Sequence, residues 1–310
     1  MIERIVGKTG LRVSKVGLGC NNIGWRIDDE TSKAVVHKAL DVGITLFDTA
    51  DVYGTTPGRS EEVLGKLLQG KRQDITLVTK FGVRMKGAQG FDRSRRFVLN
   101  AVEDSLRRLG TDYIDVYMIH WPDLTTPMEE TLRALDDIVT SGRVHYLAVS
   151  NLPVWKIVDA QWTAKDRRLH GLTLVQAEYS LLARGAETDL IPACEALGLG
   201  LMPYLPLAAG MLSGKYTSGE ATKTGRLADN FLGMGDQFLT ETNLAKAQKL
   251  HDWAQKQGHS LLELAMSWLA AKPIVTGIIA GATTPEQVEQ NARAAEWALT
   301  PAEIAEIEAI

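Results

Sequence analysis

Short unbroken apolar runs alternate along this chain with longer segments whose apolar residues recur every three or four positions. The runs KVGLGC, ITLFDTA, ITLVTKF, IDVYMIH, VHYLAVSN, LTLVQAEYS, LGLMPYLPL and PIVTGIIAGAT show no in–out alternation. That is the pattern of strands buried on both faces. DETSKAVVHKALDVG follows the first of them, apolar at 35, 36, 39 and 40 and stopped by a glycine, which predicts a helix. RSEEVLGKLLQ, SRRFVLNAVEDSLRRLG, PMEETLRALDDIVTSG, PVWKIVDAQW, TDLIPACEALG, ETNLAKAQKLHDWAQKQG and TPEQVEQNARAA are the further helical segments. About eight strand–helix units with short links predict the α/β class and a closed (β/α)8 TIM barrel. An open doubly wound sheet shares this grammar, and the count of eight favours the barrel. With 310 residues and no composition break or Pro/Ser linker, one domain spanning 1–310 is expected.

Three stretches stand outside the repeat. IERIVGKTGLRVSK reads as an N-terminal β-hairpin turning at Lys8-Thr9-Gly10, placed to plug the barrel floor. Ala208 to Gln237 is too long for a plain connector, and such loops are usually functional lids or disordered. TPAE at 300–303 is a capping box with proline at the first helical position, the start of a C-terminal helix.

Hydrophobic residues make up 45% and charged residues 23%, with a net charge of -4. This is globular usage, and the scattered basic residues leave no footprint for nucleic acid. The opening MIERIVGKTG lacks a basic region followed by a long apolar stretch, so no signal peptide is expected. LLELAMSWLAA is short and carries Glu263, so no membrane span is expected either. A cytoplasmic protein follows, with Cys20 and Cys194 reduced and structural. No His/Cys cluster has zinc spacing, and no metal is expected. GLGCNNIG has Asn22 where a dinucleotide fingerprint needs its third glycine, and GMLSGKY is one residue short of a phosphate loop.

Polar residues gather at the carboxyl ends of the apolar runs, where barrel active sites lie. Asp48 closes one run and Tyr53 lies in the loop beyond it. Lys80, His120 and the pair Ser150–Asn151 close the next three, and Gln176 and Tyr204 sit late in the two after those. Singly, each has a bland reading as a loop cap, a solvated strand end, a core histidine or ordinary packing. Successive strand exits that all turn polar mark a site. The chemistry these side chains fit is carbonyl reduction. A carbonyl that accepts a hydride needs a proton at its oxygen, and free tyrosine, with a pKa of about 10, is a poor acid at neutral pH. An adjacent ammonium favours the phenolate, and a carboxylate keeps that ammonium charged. Asp48 therefore holds Lys80, Lys80 tunes Tyr53, and His120 polarises the carbonyl. Asp51 has no role in this scheme and reads as a loop residue bonding backbone.

FDTADVYG, VTKFG, DVYMIHWPD, LAVSN, VQAEYSLL, YLPLAAGMLSGKY and GATTPEQVEQN follow in this order. With them the chain resembles the aldo-keto reductase superfamily from about Arg4 to Asn291, in the branch of potassium-channel beta subunits and their bacterial relatives. The resemblance implies a (β/α)8 barrel, an extended nicotinamide cofactor, and a tetrad at Asp48, Tyr53, Lys80 and His120. It puts the nicotinamide-amide ligands at Ser150, Asn151 and Gln176 and the ring-stacking aromatic at Tyr204. Pro206, Leu207, Gly210, Lys215 and Arg226 correspond to the pyrophosphate clamp. Gly281, Thr283, Gln287, Gln290 and Asn291 correspond to the adenosine site. The chain departs from the family at Leu205, where a serine is usual, at Gln290, where glutamate is common, and in lacking a basic residue beside the adenosine ribose.

Trp25, Phe81 and Trp121 are expected to line a pocket for a small carbonyl or alcohol substrate. NADP(H) is the expected cofactor and NAD(H) the alternative, with Thr283, Thr284 and the start of TPEQVEQN receiving the extra phosphate. Two other functions stay open. One is a Schiff-base lyase using Lys80, which a close carboxylate opposes. The other is a cofactor-sensing binding protein with slow turnover.

Overall fold

The computed structural model describes residues 2–83, 90–216, 227–230 and 233–310. The chain opens with an antiparallel hairpin, β1 (Glu3–Ile5) and β2 (Arg12–Ser14). Eight parallel strands follow: β3 (Val16–Gly19), β4 (Leu46–Asp48), β5 (Thr76–Phe81), β6 (Ile114–Ile119), β7 (Val144–Ser150), β8 (Leu172–Glu178), β9 (Gly200–Tyr204) and β10 (Ile278–Gly281). Hydrogen bonding runs in the order β10-β3-β4-β5-β6-β7-β8-β9. The ring closes just ahead of β10, where the Leu201 amide donates to Ile274 O at 3.0 Å and the Thr276 amide to Leu201 O at 2.8 Å. The expected (β/α)8 barrel is therefore the observed one.

Helices sheathe the barrel. The first six are α1 (Asp29–Asp41), α2 (Arg59–Leu67), α3 (Arg95–Leu109), α4 (Met128–Thr140), α5 (Val154–Arg167) and α6 (Leu190–Leu197). After β9 come α7 (Met234–Phe238), α8 (Glu241–Lys256) and α9 (Leu261–Ala270), and after β10 come α10 (Pro285–Ala294) and α11 (Pro301–Ala309). Thr300 and Glu303 form the capping box that starts α11, with Pro301 in the first turn. Among the described residues no helix is long and apolar enough to cross a membrane.

Alternation along each strand sorts side chains into two cores. Leu46, Val78, Val116, Met118, Leu174 and Met202 fill the barrel interior, and the hairpin adds Val6 and Val13 to the same cluster. The hairpin is thus the floor plug. Phe47, Leu77, Phe81, Tyr117 and Val149 point outward into the layer under the helices. Since Val78 faces the interior, Lys80, two residues further along β5, faces it as well.

Two helices differ from the sequence expectation. The helix begun by PVWKIVDAQW continues to Arg167 and ends on Arg168 at φ 57°, because Thr163–Arg167 offers no breaker. LLELAMSWLA, expected only not to cross a membrane, is α9. Eight of its ten residues are buried, so it shows no polar face from which helical period can be read. The expected lid begins as a 3-10 segment, Ala208–Ser213, in which Ala208, Met211 and Leu212 are fully buried. It is anchored to the core at that end, while residues 217–226 and 231–232 lie outside the described ones.

Gly7 shows how tightly the plug seats. It has φ +51°, and a Cβ there would lie 2.7 Å from Gly198 O and 2.9 Å from Thr173 O. Gly10, at the hairpin tip, has nothing within 4 Å of that position. Gly7→Ala should destabilise the fold by about 2 kcal/mol or more, from left-handed strain plus backbone overlap, and Gly10→Ala by well under about 1 kcal/mol. Urea unfolding midpoints check this, and equal midpoints for the two variants would contradict the plug.

Candidate active site

A cluster of charged and amide side chains occupies the upper rim of the interior. Lys80, with no exposed surface, donates from Nζ to Asp48 Oδ2 at 2.8 Å and to Thr49 O at 2.7 Å. The same nitrogen stands 5.0 Å from the centroid of the Tyr53 ring. Asp48 uses its other oxygen, Oδ1, to accept from Gln176 Nε2 at 2.9 Å. His120 meets Tyr53 edge-on, with ring centroids 5.7 Å apart and planes at 81°. The four residues expected as a tetrad are thus brought to one place from the exits of β4, β5 and β6.

Burial is the largest single influence on each ionisation, but it does not always set the direction. It drives the Lys80 ammonium towards neutrality, but Asp48 and then Tyr53 outweigh it, and the lysine ends above its ordinary value. A lysine held charged in this way is a poor amine nucleophile. Burial also raises the Tyr53 phenol; Lys80 pulls it back down without cancelling the rise. Burial and then the Lys80 charge push His120 well below the ordinary imidazole value of 6.5, so the ring is neutral at neutral pH. Its Nδ1 is buried without a hydrogen-bond partner.

Behind the strand tips lies a buried polar layer. Thr49 Oγ1 donates to Ser60 Oγ at 2.9 Å, and Ser60 Oγ donates to Cys20 O at 2.9 Å. Thr79 Oγ1 donates to Glu61 Oε1 at 2.6 Å, and Glu61 Oε2 pairs with Arg108 Nε at 2.6 Å. These bonds fasten the first turn of α2 to the residues flanking Asp48 and Lys80. RSEEVLGKLLQ reads from sequence only as a helical segment, and Ser60, Glu61 and Arg108 are functional residues that reading missed. Two adjacent acids in its first turn were the available signal, and one of them, Glu61, is fully buried. Asp51 corrects its expected role: it is fully buried and neither oxygen makes a well-formed hydrogen bond. Burial and then Glu61 hold its carboxyl well above the usual range.

Ser150, Asn151 and Gln176 lie beside the group of Asp48, Tyr53, Lys80 and His120. Asn151, at φ 58°, donates to His120 O and to Ser150 Oγ, each at 3.0 Å. It accepts from Tyr204 OH at 2.9 Å, which fixes the ring at the β9 exit. Beyond Tyr204 the backbone is left-handed at Leu205, Ala208, Ala209 and Gly210. Pro206 is buried, Leu207 half-buried, and Lys215 exposed at the end of this turn. Arg226 lies outside the described residues. At the β10 exit, Thr284 caps α10 and Pro285 occupies its first turn. Gln287 Oε1 accepts from the Thr283 amide at 2.8 Å and from Thr283 Oγ1 at 3.1 Å, so both Thr283 donors are engaged within the chain. Asn291 is buried beside Gly281, and Gln290 is exposed.

Of the expected pocket aromatics, Trp121 stacks on His120 at 5.8 Å and on Phe91, a residue sequence reading missed, at 6.2 Å. The Thr55 amide donates to Gly24 O at 2.8 Å, which lays the loop of Trp25 beside that of Tyr53. Phe81 is a correction. It points outward from β5, is fully buried and stacks on Tyr117 at 4.6 Å, because Lys80 takes the inward position and strand neighbours face opposite ways.

A profile of the aldo/keto reductase family matches residues 15–310. The chain is 34% identical to a probable voltage-gated potassium channel subunit beta of Oryza sativa subsp. japonica, over 98% of this chain and 95% of that protein. It is 35% identical to the L-glyceraldehyde 3-phosphate reductase of Escherichia coli strain K12, over 95% and 87%. It is 32% identical to the versiconal hemiacetal acetate reductase of Aspergillus parasiticus, over 98% and 95%.

Since Lys80 opposes the upward push of burial on the Tyr53 phenol, Lys80→Met should make that phenol titrate at higher pH. Ultraviolet difference titration, with Tyr53→Phe subtracted from each background, measures it. An unchanged or lower titration point would show that the Lys80 charge does not reach the phenol.

Proposed function

The chain belongs to the aldo/keto reductase family of oxidoreductases, and we propose that it reduces aldehydes or ketones to alcohols with a nicotinamide cofactor. One observation carries this reading: a buried ammonium, shared by Asp48 and the face of Tyr53, sits beside a neutral histidine packed edge-on against the same phenol. Acid and polarising group therefore converge where one carbonyl oxygen can meet both. When bound, a reduced nicotinamide supplies the hydride. Tyr53 gives its proton to the carbonyl oxygen, and the charge of Lys80 stabilises the phenolate left behind. His120 stays neutral and offers an N–H to the same oxygen. Asp48 holds Lys80 in place and charged, and Gln176 fixes the Asp48 carboxylate from the far side.

The donor set fits the cofactor. Ser150, Asn151 and Gln176 offer hydroxyl and amide groups without charge, the partners a neutral carboxamide needs. Tyr204 presents a ring held by Asn151, suited to stacking. Beyond it the backbone is left-handed at Ala208–Gly210, where the Ala208 and Gly210 amides donate to Leu205 O and Leu207 O at 2.9 Å each. We assign NADP(H) as the preferred cofactor, with NAD(H) as the alternative. Discrimination between them should be narrow, since no basic residue lies in Gly281–Gln287 and both Thr283 donors are already taken up by Gln287.

Tyr53→Phe should lower carbonyl reduction by about 10²–10⁴-fold, the usual worth of general acid catalysis, with cofactor affinity nearly unchanged. Steady-state rates on a panel of aldehydes and ketones check this, and near wild-type turnover by the folded variant would sink the assignment. In fluorescence titrations NADPH should bind more tightly than NADH by less than about tenfold. Thr283→Arg should widen the gap by roughly ten- to a hundredfold through a charge-assisted hydrogen bond. A dissociation constant for NADH clearly below that for NADPH in the wild type would overturn the assignment.

A further inference from the structure

The loop that carries Tyr53 is rooted at Asp51, a residue the reaction scheme leaves unused. The Asp51 amide donates to Lys80 O at 3.2 Å, the Tyr53 amide to Ala50 O at 3.1 Å, and the Ser60 amide to Tyr53 O at 3.0 Å. Asp48 turns into the barrel to meet Lys80. Asp51, three residues on, is fully buried on the side of α2 and α3, where Glu61 and then Arg108 are its strongest charged neighbours. After burial, the Asp51 charge is the strongest influence on the phenol of Tyr117, which points out of β6 into the same layer.

The charges of this layer do not balance. The loop contributes Asp51, α2 contributes Glu61, α3 contributes Arg108, and β6 adds only the Tyr117 hydroxyl. Arg108 gives Nε to Glu61 Oε2 at 2.6 Å and Nη2 to Ser105 Oγ at 3.3 Å. Thr79 Oγ1 takes the other Glu61 oxygen at 2.6 Å. Lys80 on β5, the remaining cation that acts on Asp51, is bound to Asp48 and Thr49 O. Two carboxyl groups thus face one guanidinium, and that guanidinium is committed to Glu61. Among the described residues neither Asp51 oxygen makes a well-formed hydrogen bond, and nor does the Tyr117 hydroxyl. A carboxylate in this setting is an unanswered buried charge beside a like one, whereas the un-ionised acid carries no charge to desolvate. An apolar side chain would cost less still, so packing does not call for an acid here.

We infer that Asp51 is a positioning residue for Tyr53: as an un-ionised acid it keeps the root of the Tyr53 loop in this layer, and on losing its proton it lets that root go. The effect on the reaction rests on the carbonyl-reductase reading; the proton on Asp51 and its hold on the loop do not.

Asp51→Asn keeps the shape of the un-ionised acid and has no proton to lose. Below about pH 4 the unfolded carboxyl is protonated too, and wild type and variant should respond alike to pH. Above it the unfolded chain releases the proton while the folded chain retains it. The folded state then binds more protons, so wild-type stability falls as pH rises. In urea, the ratio of unfolding constants, wild type over Asp51→Asn, should grow about tenfold per pH unit and level off where folded Asp51 ionises. From that pH upward, hydrogen exchange corrected for its intrinsic pH dependence should show the amides of 51–54 losing protection in the wild type and keeping it in the variant. Over the same range kcat/KM for an aldehyde should fall in the wild type, below the pH at which the Tyr53 phenol titrates. In Asp51→Asn it should fall only with the phenol. A stability ratio that does not vary with pH would place a carboxylate in the folded protein and overturn the inference. Equal loop protection in the two proteins at every pH, or a rate that falls with the phenol in both, would overturn it as well. If no aldehyde is turned over, the reductase reading has failed and the exchange measurement decides the positioning. Should Asp51→Asn not fold, the infrared carboxylic-acid band of the wild type at neutral pH is the test, and its absence would overturn the inference.

Discussion

An ammonium stripped of water is tolerated inside a protein only when its charge is answered at close range. Lys80 has no exposed surface, and the answer comes from Asp48 Oδ2 and the carbonyl of Thr49. Everything at the barrel mouth follows from keeping that pair in register. Gln176 holds the second oxygen of Asp48. Ser60 and Glu61 fasten the residues beside Asp48 and Lys80 to α2 from outside the barrel. Tyr53 and His120 pack against the pair, and their ionisation is set first by burial and then by the Lys80 charge.

The closed barrel makes such a pair sustainable. Beneath it the interior is filled by aliphatic residues and sealed from below by the hairpin, so little water competes for the charges. A low-dielectric setting lengthens the reach of Lys80 and so raises its influence on the phenol. The same dryness drives His120 to the neutral form. One environment thus yields a charged lysine, a neutral histidine and a protonated tyrosine, the three states that carbonyl reduction requires together.

The fold was legible in the sequence because both signals it depends on are local. The apolar runs gave the strands, and the polar residue at each exit gave the rim. Trp121 and the hairpin plug could be placed the same way. What stayed hidden depended on facing. Phe81 reads as a pocket aromatic until strand parity turns it outward. Glu61 and Arg108 look like surface charges on amphipathic helices until the helices dock and bury their contact. α9 shows no periodicity because nearly every face is covered. The engagement of Thr283 by Gln287 is a matter of side-chain rotamer, which spacing does not carry.

A buried ion pair adds little net stability over well-packed apolar residues, so the Asp48–Lys80 pair should matter more to chemistry than to folding. A double-mutant cycle of Asp48→Leu, Lys80→Met and the double variant, followed by urea unfolding and by aldehyde reduction, separates the two. Each single variant should lose about 3–5 kcal/mol of stability by leaving one buried charge unanswered, whereas the double variant should recover most of that loss. Reduction should stay at least about 10²-fold below wild type in the double variant. A stable double variant that reduces aldehydes at near the wild-type rate would contradict the account.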